Sequence, residues 1–144
     1  MDSTYDHIIY DPQEDSYLLQ KHIKDYVLAK SRVLDMGTGS GILAFEAAQY
    51  ADSVLAADIN SRAVAEIKKR IKKEKRKEGI KNIEARESDL FSNIEKKEEF
   101  DLIIFNPPYL PSDKKYPDAA LDGGRHGCEL IIRFLEQARG HLKK

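Results

Sequence analysis

Between Arg32 and Gln49 the chain passes from a short apolar segment, Arg32-Val33-Leu34-Asp35-Met36, through Gly37-Thr38-Gly39-Ser40-Gly41, into a helix-forming stretch that starts at Ile42. Few folds accept that order. Glycines at alternate positions permit a tight turn and a close approach of backbone to a ligand, at a helix N-terminus whose N–H groups and partial positive charge attract polar groups. A buried strand, a glycine loop and a helix in succession open a parallel sheet with helices on its faces. The spacing also discriminates among ligands. A nicotinamide dinucleotide calls for G-x-G-x-x-G, whereas here an acid, Asp35, stands ahead of glycines at every second position. Asp35 would repel a pyrophosphate and suits a ligand that carries an ammonium group.

The rest of the chain continues the alternation. Pro12 to Val27 has helical spacing of Leu18, Leu19, Ile23 and Tyr26, with Asp11 as the expected cap and Glu14 and Asp15 in the first turn. Ser53 to Asp58 reads as a second strand, and Asn60 caps a long helix whose face is Ala63, Val64, Ile67 and Ile71, ended by Gly79. A weaker strand spans Asn82 to Arg86, the strongest β-like run is Phe100 to Phe105, and a final helix is expected from about Arg125 to Arg139. The fold class is therefore α/β, a parallel doubly wound sheet in one domain.

Composition excludes more than it identifies. With 41% apolar residues in 144, the chain can bury a core, and Lys+Arg 24 against Asp+Glu 25 leaves no global field for nucleic acid or membranes. The basic run Lys68 to Lys77 reads as the solvated face of a helix, with an RNA contact as the sharper alternative. His7, His22, His126 and His141 show no metal-ligand spacing, so no metal is expected. The single cysteine, Cys128, reads as a small buried residue in a reducing, cytoplasmic setting. The acidic N-terminus lacks a signal-peptide pattern, and no apolar run reaches membrane-spanning length.

Three further features define a pocket. Asp58, ending the second strand, is placed to take two ribose hydroxyls, with Ile59 beside it. Asp89, in Ser88-Asp89-Leu90, can accept the exocyclic amine of an adenine. Asn106-Pro107-Pro108-Tyr109 follows the strongest strand, and its two prolines fix φ and remove backbone donors. The Asn106 carboxamide oxygen and the Pro107 carbonyl are left as acceptors for a planar NH2 group, and Tyr109 can pack on that group or offer its ring face to a cation. An amide or aromatic amine is a poor nucleophile, so such a site works by orientation, without a general base.

Ammonium, ribose and adenine together describe S-adenosyl-L-methionine. In its glycine loop, second-strand acid and Asn-Pro-Pro-Tyr, the chain resembles the class I methyltransferases, and two acceptors fit that motif: the side-chain amide of glutamine and the exocyclic amine of adenine. Tyr10-Asp11-Pro12-Gln13-Glu14-Asp15-Ser16-Tyr17-Leu18-Leu19 and Asp122-Gly123-Gly124-Arg125-His126-Gly127 are similar to signatures of the HemK-like release-factor glutamine methyltransferases, closest to their short archaeal and eukaryotic branch. The resemblance runs from Tyr10 to Leu142. It implies N5-methylation of the glutamine in the Gly-Gly-Gln tip of a class 1 translation release factor, with some members acting on lysine. It assigns Asp35, Gly37, Gly39 and Gly41 to the methionine part of the cofactor, Asp58 to the ribose, and Asp89 and Leu90 to the adenine, with Thr38 and Ile59 also among the cofactor-binding residues. Ser16 also reaches the cofactor, and Asn106, Pro107, Pro108 and Tyr109 form the catalytic motif, Asn106 touching cofactor as well. A small zinc-binding activator subunit is implied as a partner.

The alternatives are an adenine-N6 methyltransferase reading a flipped base in RNA or DNA, and a non-catalytic cofactor-binding fragment. The resemblance further implies a Rossmann-like sheet in the order 3-2-1-4, with residues 1–30 as an N-terminal helical segment and 31–144 as a core incomplete at its C-terminus. Strands 5 to 7 of the family are expected to be absent, as in a chain truncated after the helix that follows strand 4. Strand 4 would then be an apolar open edge prone to self-association.

Overall fold

The computed structural model describes residues 11–108 and 122–144. Four strands, β1 (Arg32–Met36), β2 (Ser53–Asp58), β3 (Ile83–Glu87) and β4 (Leu102–Phe105), form one parallel sheet in the order β3-β2-β1-β4. The expected order is the observed one. Alternation along β1 assigns its side chains to two cores: Val33 lies with Ile23, Leu43, Val54, Ile67 and Ile104 on one face, and Leu34 and Met36 with Leu55, Phe91, Phe100 and Phe134 on the other. Helices α1 (Glu14–Tyr26), α2 (Ile42–Ala47) and α3 (Ser61–Arg76) cover the first face, and α4 (Glu129–Ala138) covers the second through Phe134. Such double coverage explains why β1 and β2 are apolar without alternation.

The ends of elements show what sequence patterns leave open. Helix α1 starts at Glu14 with Gln13 as its cap residue, and no side chain caps it, so Asp11 does not play the expected part. Asn60 does cap α3, its Oδ1 accepting from the N–H groups of Arg62 and Ala63. At the other end of α3 the left-handed residue is Glu78, with φ 58°, and not Gly79. A Cβ on Gly79 would meet Glu74 Oε2 at 2.6 Å, the end of a flexible side chain that can turn aside, so neither φ nor space demands a glycine there. Helix α4 begins four residues later than expected because Gly124 and Gly127 hold φ of 103° and 85°, which keeps 125–128 in a turn. Cys128 sits exposed at that start, not buried.

The fourth strand lies at the sheet edge, where it is expected. Leu102, Ile103 and Phe105 are half-buried and only Ile104 is fully so, because β4 has a ladder neighbour on one side among the described residues. Its approach is nevertheless covered. The Phe100 N–H donates to the His141 carbonyl at 2.8 Å and the Lys143 N–H donates to the Phe100 carbonyl at 2.9 Å, a parallel bridge that brings the residues after α4 alongside. His141 is itself pinned, stacked on Phe91 at 4.7 Å with Nδ1 2.8 Å from the Glu98 carbonyl. Among the described residues no helix is long and apolar enough to cross a membrane. The basic residues of α3 from Lys68 to Arg76 are exposed, with Arg70 folded over the Phe45 ring.

Candidate active site

Because all four strands are parallel, their C-terminal ends lie along one edge of the sheet, and every candidate residue within the described segments gathers there. The register pairs Met36 with both Ala57 and Phe105, and Asp58 with Glu87. The glycine loop therefore stands between Asp58 and Asn106. Ser88 to Leu90 follows beyond Asp58, and the first turn of α1 brings Ser16 in from above, where its Oγ accepts from Asn106 Nδ2 at 3.2 Å. Tyr109 lies outside the described residues.

The loop is more self-contained than its sequence suggests. Gly37, Gly39 and Gly41 all have positive φ, and at Gly41, with φ 82°, a Cβ would also meet the Phe45 ring at 3.1 Å. Backbone conformation alone thus demands these glycines, before any ligand is considered. Nor are the loop's N–H groups all free: Gly39 donates to Asp58 Oδ2 at 2.8 Å, Gly41 to the Thr38 carbonyl at 2.8 Å and Thr38 to the Ala57 carbonyl at 3.0 Å. With α2 only six residues long, its dipole is a minor attraction. Beside the loop stand two acids, Asp35 and Asp58.

Those acids differ in accessibility. Asp35 is 1% exposed; its Oδ2 accepts from Thr38 Oγ1 at 2.7 Å and its carboxylate also accepts from the Ala44 N–H. Burial outweighs both bonds and pushes its pKa up to about 7, with Asp58 adding repulsion. Asp58 is 9% exposed, and burial raises its pKa as well, against the N–H groups of Asn60, Gly39 and Ile59. Asp58 Oδ2 takes the Gly39 N–H and Oδ1 the Asn60 N–H, both at 2.8 Å, and with the Ile59 N–H as a third donor the carboxylate still has acceptor capacity to spare. Ile59 beside it is 61% exposed.

At the end of β3, Asp89 is exposed and 3.6 Å from Arg133 of α4. Leu90, by contrast, is buried in the second core with φ 47°, so its side chain packs inward and only its backbone borders the site. Past β4, the turn before α4 closes on the prolines: a Cβ on Gly123 would lie 2.8 Å from the Pro108 carbonyl oxygen. Arg125 and His126 are exposed, and Glu129 ties the turn together by accepting from the His126 and Cys128 N–H groups. Neither the Ser16–Asn106 bond nor the Gly123–Pro108 approach is visible in local sequence, since the partners are 90 positions apart in the first case.

Comparison with known proteins agrees with this geometry. Residues 11–144 match the methyltransferase small domain family. The chain belongs to that family. A Methanocaldococcus jannaschii protein provisionally named a protein N5-glutamine methyltransferase is 40% identical over 142 residues, which cover 94% of this chain and 68% of its relative. A tRNA1(Val) (adenine(37)-N6)-methyltransferase from Bacteroides fragilis is 31% identical over 117 residues, 81% of this chain and 49% of its own length. Among solved structures, the E. cuniculi Mtq2–Trm112 complex, which methylates the translation termination factor eRF1, superposes with a TM-score of 0.68 at 28% identity, covering 91% of this chain and 68% of that one. This chain therefore spans about two thirds of the first and third and half of the second.

Members of a methyltransferase family imply S-adenosylmethionine, and the residues present suit it. Ribose hydroxyls need acceptors, and the spare lone pairs of Asp58 supply them. A cation beside Asp35 would offset the burial that disfavours its charge. The exposed Ile59 offers a flat base an apolar surface.

Proposed function

We propose that this chain is the catalytic domain of a protein glutamine N5-methyltransferase, acting on the Gly-Gly-Gln tip of a class 1 translation release factor. The observation that carries the proposal is the position of the Asn106 carboxamide at the C-terminal end of β4, next to the glycine loop and followed by Pro107 and Pro108. The names of the M. jannaschii and E. cuniculi proteins support glutamine and a termination factor as the acceptor.

In this reading Asp58 holds the ribose and Ile59 lies along it. Asp35, with Thr38 and the glycine loop, faces the positively charged methionine portion, and the Ser88–Leu90 backbone with Asp89 borders the adenine. Bound S-adenosylmethionine supplies an electrophilic methyl group on a sulfonium, so the acceptor nitrogen gains a carbon, loses one proton to water and leaves a neutral thioether. Asn106 Oδ1 and the Pro107 carbonyl each accept one N–H of the target NH2, which turns the nitrogen lone pair toward the methyl. Pro107 and Pro108 hold those acceptors still, as neither residue has an N–H to compete for them. A partner subunit is also proposed, as in the E. cuniculi complex.

A second reading, adenine-N6 methylation, draws on the B. fragilis relative and uses the same two acceptors. Incubation with methyl-labelled cofactor and a release factor, its Gln-tip variant and an adenine-containing oligonucleotide separates the two. Label in the release factor that vanishes with the Gln-tip variant is the expected result. Label in the oligonucleotide alone overturns the glutamine assignment.

A further inference from the structure

A carboxamide has two ends of nearly equal size and opposite hydrogen-bonding character, and rotation by half a turn exchanges them. For Asn106 the consequence is severe. Turned one way, its oxygen accepts an N–H from a target NH2; turned the other way, its own NH2 confronts the target's, donor against donor. The backbone does not decide between them, because the following Pro107 restricts only φ and ψ of Asn106. Something outside β4 must hold the rotation.

We propose that Ser16 is a positioning residue which fixes the Asn106 carboxamide with its oxygen toward the acceptor, a role that rests on the reading of Asn106 given above. Ser16 Oγ lies 3.2 Å from Asn106 Nδ2, and Ser16 is only 5% exposed. Its hydroxyl is biased toward accepting by the neighbouring carboxylate. Ser16 Oγ lies 3.5 Å from Asp15 Oδ1, beyond a firm hydrogen bond but near enough for the charge to draw the hydroxyl hydrogen, while the same carboxylate oxygen accepts the Ser16 N–H at 2.7 Å and is thereby held in place. With the carboxylate drawing the hydroxyl proton, the Oγ lone pairs are left for Asn106 Nδ2. The flipped carboxamide would place Oδ1 against that oxygen, and the hydroxyl could then donate to it only by turning its hydrogen away from the Asp15 charge, so the present orientation is the favoured one. Ser16 stands in the first turn of α1, so the orientation of the acceptor side is set by the docking of a helix remote in sequence.

This assignment differs in its measurable effect from a contact between Ser16 and the cofactor. The test compares Ser16→Ala, Ser16→Thr and Asn106→Ala by turnover on the release factor and by cofactor affinity from calorimetry. Ser16→Ala is expected to lower kcat about 10- to 50-fold while leaving cofactor Kd within 2-fold, the range set by losing one buried hydrogen bond and its partner. Ser16→Thr, which retains the hydroxyl, is expected to recover kcat to within about 3-fold of the unchanged chain. A fall in cofactor affinity with kcat preserved, or no rescue by Thr in a folded protein, overturns the proposal. Unchanged turnover in Asn106→Ala instead refutes the reading of Asn106 itself. Exchange of the Asn106 Nδ2 protons, followed by NMR, decides the matter without turnover: Ser16→Ala is expected to accelerate it at least about 5-fold, and an unchanged rate overturns the proposal.

Discussion

The two halves of the site are built by different means. On the cofactor side, Asp35, Gly37 to Gly41 and Asp58 lie within two consecutive strand–loop units and bond chiefly to one another, as when Asp58 accepts from Gly39. On the acceptor side, Asn106 depends on a serine from α1, and Pro108 is approached by the Gly123 turn. The first half is local and stiff, fixed by backbone conformation. The second is assembled from three separate parts of the chain around a strand at the sheet's end, so its geometry follows the docking of α1 and α4. Binding and transfer should therefore respond separately to substitution.

The sharpest way to break that separation is Asn106→Ala. It is expected to lower kcat by about 10²–10³-fold, as for loss of one oriented polar group in other active sites, with cofactor affinity nearly unchanged by calorimetry. Parallel losses of both would mean that the halves are not distinct.

Next comes pH. The folded-state pKa of Asp35, about 7, lies above the ordinary 3.8, so between these values the folded protein keeps a proton that the unfolded chain has released. Stability is thus full below the lower value and falls as pH rises toward the upper one, by on the order of 4 kcal/mol at the limit. Denaturant melts of the ligand-free chain should show this slope, and Asp35→Asn should remove it. Binding of a cationic cofactor should release a proton near neutral pH, detectable as a buffer-dependent calorimetric heat. A flat stability profile would show that Asp35 ionises without cost.

Asp58→Asn should weaken cofactor binding about 10- to 100-fold, since a charged acceptor shared by ligand and loop becomes a neutral one. Turnover at saturating cofactor should change little. The smallest effect belongs to Asn60→Ala, which removes the α3 cap. It should cost about 1 kcal/mol in chemical denaturation and leave cofactor affinity within about 2-fold. A large affinity loss would place Asn60 in the site.

How much of this could be read in advance followed the same division. The strands, the glycine loop and the acid after β2 were legible because each is a local pattern: an apolar run, a required positive φ, a carboxylate at a strand end. Cap and boundary details were less so. Gly79 reads as the residue that ends α3, yet the left-handed conformation at that end belongs to Glu78. Cys128 looked like a core residue and stands at the exposed start of α4, because two glycines with positive φ delay the helix. The inward turn of the Leu90 side chain, into the apolar core with Phe91 and Phe134, is likewise set by packing and not by local pattern.

Sequence alone determined that a parallel sheet would end in a glycine loop with acids beside it, since strand pattern, backbone conformation and charge act within a few residues. Tertiary structure decided which way the Asn106 carboxamide turns, how deeply Asp35 is buried, and how the residues after α4 come to lie beside Phe100. Each of these depends on what packs against a group from elsewhere in the chain. Hydrogen-bond direction and desolvation come from neighbours in space, and a linear pattern does not specify them.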